Sequence, residues 1–339
     1  MLSVFDCVDA GCQTHIVKVR NSSSQQLQFA KLERAYMWGI KPIISMHPAH
    51  LVETAIDESS NYGDTARLVA ESSETEYTFA PQGFAANCAF LANHWSDNFF
   101  HWMSECLPRV AYLEAMNFGG MYIIPKKIRF IVESMVAMGV SQARMAVYQP
   151  DTIAKNLVVF EKTPFTALQH HSDAFFYVRA KMRAASHGSY GGKRIYCHRE
   201  HTRRVLNLEA VCEVCAQYGF TFLDFEKLTF FEQVAAVANA EILVGPHGAG
   251  MLHAWFMPKN ATVIEFFSPE YVNYTMLPFI KFININYIPL VEYRNSDKLP
   301  IDLYGAERGC KADMTVPVEM LDAILRNTIK NRVDRSDHS

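Results

Sequence analysis

Glu241-Ile-Leu-Val-Gly-Pro-His-Gly-Ala-Gly-Met251 carries an apolar run into a glycine-rich turn that holds a histidine. Ile242, Leu243 and Val244 stop at Gly245-Pro246. His247 lies in the turn, and Met251, Leu252, Trp255 and Phe256 follow at helical spacing. The order predicts a buried strand, a tight loop and a helix start. A helix start presents unpaired N–H groups and the positive end of the dipole, which suits a phosphate. Gly248 and Gly250, flanking Ala249, have no Cβ to keep a ligand from the backbone. The next strand, within Ala261 to Phe267, carries Glu265, a charge that is costly to bury without a partner. A ribose with two hydroxyl donors would be one. The turn lacks the Lys-Ser/Thr ending of a Walker A loop, and its glycines do not fit the dinucleotide fingerprint. Spacing alone leaves two readings open: an anion site, or a tight turn whose glycines serve packing.

The elements that must position this turn alternate. Met121–Ile124 reads as a strand closed by Pro125, Phe130 to Met138 as a helix ending at Gly139, and Asn156–Phe160 as a strand. His187 to Gly192 is short and glycine-rich and reads as a hinge. Beyond it, Arg194–Cys197 reads as a strand, about Asn207 to Tyr218 as a helix, and Thr221 to Asp224 as a strand. Thr229-Phe-Phe-Glu232 opens a further helix with capping-box spacing. Alternating strands and helices predict an α/β chain with parallel sheets covered on both faces. The expected division is 1–190 and 191–339, with the final helix free to pack back across the hinge. Residues before about Asn61 read as irregular or β-rich, and those from about Asn331 as frayed. Open parallel sheets place ligands beyond the carboxyl ends of their strands. His198-Arg199, Gly245 to Gly250 and Glu265 all follow or end predicted strands, so they can meet on one rim.

At 339 residues the chain exceeds the usual size of a single core, so two domains are expected. A net charge of −3 argues against a general nucleic-acid binder. The eight cysteines do not form a disulfide scaffold; Cys212-x-x-Cys215 falls on an amphipathic helix and reads as buried thiols before a redox or zinc pair. The N-terminus has no basic n-region or sustained apolar core, and no apolar run is long enough to span a bilayer. Together these features predict a cytoplasmic protein without a transmembrane segment, a prediction compatible with peripheral membrane association.

Four ordered blocks resemble glycosyltransferase family 61: Asn98-Phe-Phe-His-Trp-Met-Ser-Glu-Cys-Leu-Pro-Arg109; His198-Arg199 with Thr202 to Asn207 and Glu209; Leu228 to Gln233; and Pro246 to Gly250 with Phe256 to Glu265. The resemblance covers roughly Asn87 to Pro269. It implies a GT-B arrangement of two Rossmann-like domains facing each other across a cleft. It also implies an inverting transfer from a UDP-sugar, of the UDP-xylose or UDP-N-acetylglucosamine class, to a glycan or glycan-lipid hydroxyl in polysaccharide biosynthesis. Eukaryotic members are anchored in the secretory pathway, and no such anchor is read here.

Within that reading, charge building on the departing diphosphate needs fixed cations. Arg199, Arg203 and Arg204 have guanidinium forks that match phosphate oxygens. For Arg199 the competing reading is a surface pair with Glu200 or Glu226. Asn207 reads as a helix cap. His247 can donate to a phosphate or sugar; Glu265 is either a ribose partner or an ion-pair partner of Lys259. The transfer also needs a base for the acceptor hydroxyl. His94, Asp97, His101 and Glu105 are candidates, and Asp97, His101 and Glu105 stand four apart, on one face if helical. His101 leads, with Asp97 and Glu105 behind it. Trp95 and Trp102 read as core before sugar-stacking platforms, and Arg109 as a structural support. No Asp-x-Asp element or convincing His/Cys spacing stands beside the turn, so no metal and no cofactor beyond the donor itself is expected. Two other readings compete: a non-catalytic nucleotide- or glycan-binding member of the same fold, and a metal-assisted hydrolase using His198, His201, His247 and His253.

Overall fold

The computed structural model describes residues 3–9, 12–20, 26–38, 43–47, 50–51, 83–92, 95–160, 172–188, 190–292 and 310–336. They group into two compact units, Met1–Lys181 and Met182–Ser339.

The first unit is built on a sheet with nine described strands. Strands β1 (Ser3–Asp9), β2 (Cys12–Arg20) and β3 (Gln26–Trp38) form an antiparallel meander, and β4 (Ile43–His47) and β5 (His50–Leu51) continue from β3. Strands β6 (Gly83–Phe90), β7 (Met121–Ile124), β8 (Met145–Val147) and β9 (Thr152–Phe160) run parallel in the order β9-β6-β7-β8, and β3 joins β9 antiparallel. The β-rich expectation for the amino-terminal stretch therefore takes the form of an antiparallel extension to a parallel sheet. The core between them includes Leu32, Ala35, Met37, Phe90, Ile123 and Leu157.

Helix α1 (Phe99–His101) opens on Asn98, whose side chain accepts from the Phe100 N–H. A π-helical turn, Trp102–Cys106, follows, and α2 (Leu107–Ala115) and α3 (Arg129–Ala137) complete this face. Pro108 accounts for the wide turn. It has no N–H for the Ser104 carbonyl and its ring would collide with that carbonyl. Opening the ladder by one residue relieves the clash, and the Leu107 N–H reaches back to the Trp102 oxygen. Helix α4 (Ser172–Ala185) contains the boundary between the units.

The second unit is a sheet of five described strands, all parallel, in the order β11-β10-β12-β13-β14. They are β10 (Arg194–Cys197), β11 (Thr221–Leu223), β12 (Ile242–Pro246), β13 (Thr262–Phe267) and β14 (Asn286–Val291). Every residue of β12 and β13 is buried, as expected of a parallel strand covered on both sides. Helices α5 (Leu208–Gln217), α6 (Phe230–Ala238), α7 (Leu277–Phe282) and α8 (Val318–Ser336) accompany it. Thr229 and Glu232 form the expected reciprocal capping box of α6. Helix α8 continues past Asn331 to Ser336, where fraying was expected, and residues 337–339 lie outside the described residues. Its Leu321 and Leu325 join the core of Tyr196, Val244, Ile264 and Phe266. The chain runs from β10 to β11 on one side and returns to place β12 on the other. The switch in strand order therefore falls between β10 and β12, where an open sheet leaves a crevice at its carboxyl edge.

Candidate functional site

Both strands flanking that switch end in expected site residues. Beyond β10, Arg199 turns back on its own loop, its Nε donating to the Thr202 carbonyl at 2.6 Å and its Nη2 to the Thr202 hydroxyl at 2.8 Å. Among the described residues it makes no ion pair with Glu200 or Glu226. Glu200 lies 3.2 Å from Lys227, and Glu226 lies 4.0 Å from the His201 ring. Glu226 acts on the Arg199 charge only at longer range. Its guanidinium lies against Gly248, where a Cβ would stand 2.0 Å from Nη1. Gly245 serves strand packing, since a Cβ there would come within 2.8 Å of the Cys197 carbonyl.

Arg203 sits in the left-handed region at φ 56°, with its guanidinium 5.8 Å from the centre of the Tyr271 ring. Its Nε is buried without a hydrogen-bond partner. Burial, and then the neighbouring Arg199 charge, hold its ionisation below the ordinary arginine range; burial does the same to Arg199. Glu265 and Glu226 act on Arg203 and Arg199 from beyond ion-pair distance, and a buried cation without a close counter-charge is costly. An anionic ligand would lower that cost for both.

Arg204 departs from expectation. Its Nε and Nη2 hold Asp313 Oδ2 at 3.0 and 2.6 Å, and its backbone N–H donates to Oδ1 at 2.8 Å. The guanidinium is committed to fastening this loop to the 311–316 segment, which also pairs Val205 with Met314. Asn207 likewise does not cap α5. Its amide exchanges two hydrogen bonds with the Val316 backbone.

Beyond β12, His247 is buried, its ring stacked on Phe267 at 4.9 Å and beside Tyr271 at 5.5 Å. Gly248 is extended, and Ala249 and Gly250 begin the 3-10 helix Ala249–Phe256. The expected α-helix is thus a tighter one, though its first N–H groups still lack intrahelical partners. Glu265 also differs from expectation. It is 0% exposed. Its Oε1 lies 2.7 Å from His247 Nδ1, and its Oε2 accepts from the Tyr287 hydroxyl at 2.6 Å. Both oxygens are thus occupied by protein. Sequence reasoning missed Tyr287 altogether; its place two residues into a strand after a short helix carried no signal of this contact.

The four histidines of the hydrolase reading do not converge. His198 lies 3.8 Å from Glu200, His201 near Glu226, and His247 on Glu265, while the buried His253 donates to the Gly250 carbonyl. Among the described residues no three His, Cys, Asp or Glu side chains gather as a metal site. Burial pulls the His253 imidazole down to about 4, so it is neutral.

In the first unit, His101 Nδ1 lies 2.7 Å from Glu105 Oε1, as the spacing anticipated. Asp97 is not on that stripe. Asn98 caps the helix, Asp97 falls in the preceding turn, and it pairs with Lys126 at 2.7 Å. His94 lies outside the described residues. The two tryptophans divide: Trp102 is wholly buried and donates to Ser134, whereas Trp95 is 40% exposed and stacks near His101 at 6.1 Å. Arg109 is buried over the Phe160 ring.

An all-parallel sheet with cationic side chains and a glycine turn at its switch point is a Rossmann-like unit. Residues 99–264 match the family described as Glycosyltransferase 61. The chain is 38% identical over 74 residues to the EGF domain-specific O-linked N-acetylglucosamine transferase of Drosophila melanogaster, covering 21% of this chain and 14% of that protein. The Xenopus laevis protein of the same name is 33% identical over 73 residues, covering 20% and 14%. The protein O-linked-mannose β-1,4-N-acetylglucosaminyltransferase 2 of Mus musculus is 37% identical over 78 residues, covering 22% and 13%. The matched stretch thus spans about one seventh of the length of these relatives.

Proposed function

We propose that this chain is an inverting glycosyltransferase of GT-B type that transfers a sugar from a UDP-sugar to a glycan or glycan-lipid hydroxyl without a metal. The supporting observation is the pair of partly buried guanidiniums, Arg199 and Arg203, with no carboxylate at ion-pair distance among the described residues, beside the glycine turn at the strand switch. The names of the relatives favour N-acetylglucosamine over xylose as the sugar.

In this reading Arg199, Arg203 and the first N–H groups of the 3-10 helix hold the diphosphate. His247 donates to it, and Glu265 orients His247 in place of binding the ribose. The acceptor oxygen attacks the anomeric carbon opposite the diphosphate, and the bond to the β-phosphate oxygen breaks. The acceptor proton passes to His101, which Glu105 orients, and the negative charge leaves on the diphosphate. Fixed positive groups stabilise that charge without reorganising at the moment of reaction.

A thermal-shift panel tests this reading. UDP-sugars at about a hundredfold excess over Kd should stabilise the fold by roughly 2.7 kcal/mol, a rise of several degrees in Tm. Other nucleotides should give little shift. Equal shifts from all nucleotides, or none from UDP-sugars, would count against the donor class. Shifts without turnover on any acceptor would point to a binding protein of the same fold.

A further inference from the structure

We infer that Tyr287 is a positioning residue of the diphosphate site, acting through buried Glu265 on His247, so that a UDP-sugar binds together with a proton; this rests on the donor-site reading above. Glu265 is enclosed on β13 and takes a hydrogen bond from Tyr287 of β14 on one oxygen and from His247 on the other. Burial pushes the Tyr287 phenol far up, so it remains a neutral O–H donor at any relevant pH. It therefore supports the carboxylate anion without supplying a competing charge. The His247 ring is held flat by Phe267 and flanked by Tyr271, which leaves Nδ1 facing Glu265. Its Nε2 has no hydrogen-bond partner among the described residues.

A phosphate oxygen only accepts, so Nε2 must carry a hydrogen to meet it. With Nδ1 already donating to an ionised Glu265, that hydrogen makes the ring an imidazolium. The groups around the ring oppose one another. Glu265 faces the ring at Nδ1, and the guanidiniums of Arg199 and Arg203 come from the segment after β10. The Cys197 thiol at the end of β10, pushed up to about 12, is neutral, and Tyr271, Tyr287 and Cys310 contribute no cation. A bound diphosphate supplies the negative charge that tips the balance, and imidazole is the side chain able to respond near neutrality.

Calorimetric titration with UDP-N-acetylglucosamine tests this, because its diphosphate keeps a constant charge between about pH 5.5 and 8.5, the range in which imidazole titrates. Repeating the titration in buffers of different ionisation enthalpy counts the protons. The wild type should take up protons on binding, and its affinity should fall as pH rises, approaching about tenfold per pH unit for one linked proton. Tyr287→Phe keeps the ring but removes the hydroxyl, leaving Glu265 a less stabilised anion. The Glu265–His247 pair should then hold its proton to higher pH, and more on the carboxylate. The affinity midpoint should move up, and the low-pH affinity should drop about three- to tenfold, as expected for losing a charged hydrogen bond. A wild-type affinity independent of pH would overturn the proton coupling while leaving the donor site in place. An equal loss at every pH in Tyr287→Phe, with the midpoint unmoved, would reduce Tyr287 to a structural role. No binding at any pH would remove the donor-site reading and this inference together.

Discussion

Gly248→Ala should weaken UDP-sugar binding about as much as Arg199→Ala does, with little loss of fold stability. Gly248 is extended at φ 163°, a backbone that alanine adopts freely, so no conformational penalty is expected. The added methyl would instead stand 2.0 Å from Arg199 Nη1 and 3.1 Å from Cζ. The guanidinium is the far end of a flexible side chain and yields before the backbone does. Its displacement removes a charged hydrogen-bonding group from the diphosphate, a loss of about 1.5–3 kcal/mol or roughly 10- to 100-fold in Kd. Because both changes remove the same interaction, they should not add. In the Arg199→Ala background, Gly248→Ala should cost almost nothing further. Binding titrations of the two single variants and the double variant give the answer directly. Additive losses would show that Gly248 and Arg199 act separately, and unchanged binding in Gly248→Ala would remove Arg199 from the site.

The second large effect falls on turnover. His101→Ala should lower kcat by about 10²- to 10⁴-fold, the range over which a positioned general base contributes. Donor affinity should stay close to that of the wild type. His101 is partly exposed and pairs with Glu105 at 2.7 Å, so the truncation opens no deep cavity. Glu105→Ala frees the imidazole to rotate and should cost less than losing the base itself. Asp97→Ala should have a small effect, because that carboxylate is engaged by Lys126. Single-turnover assays separate these outcomes from binding. A kcat for His101→Ala within about fivefold of the wild type would exclude it as the base.

The strands that carry the site were legible because buried parallel strands read as unbroken apolar runs. Arg194–Cys197 forms β10 with the expected bounds, and the capping box at Thr229 and Glu232 is present. What could not be read was which charged group faces which. Arg203 and Arg204 look alike in sequence, yet a left-handed backbone at Arg203 and an aspartate at 313 send them to different tasks. Glu265 was legible as a buried-charge problem but not as solved by Tyr287, because that contact depends on β14 lying beside β13. Asn98 could have corrected the Asp97 assignment. An asparagine directly before an apolar helical run is a start signal, and it places Asp97 outside the helix. The π-helical turn follows from Pro108, but a proline there signals a disturbance without fixing its form.

The most direct test is a crystal structure of the chain bound to UDP. Diphosphate oxygens should lie within hydrogen-bonding distance of Arg199, Arg203 and His247 Nε2, over the 248–250 backbone, with Arg203 Nε no longer orphaned. A diphosphate bound away from the β10–β12 switch, with those two arginines unchanged, would contradict the assignment.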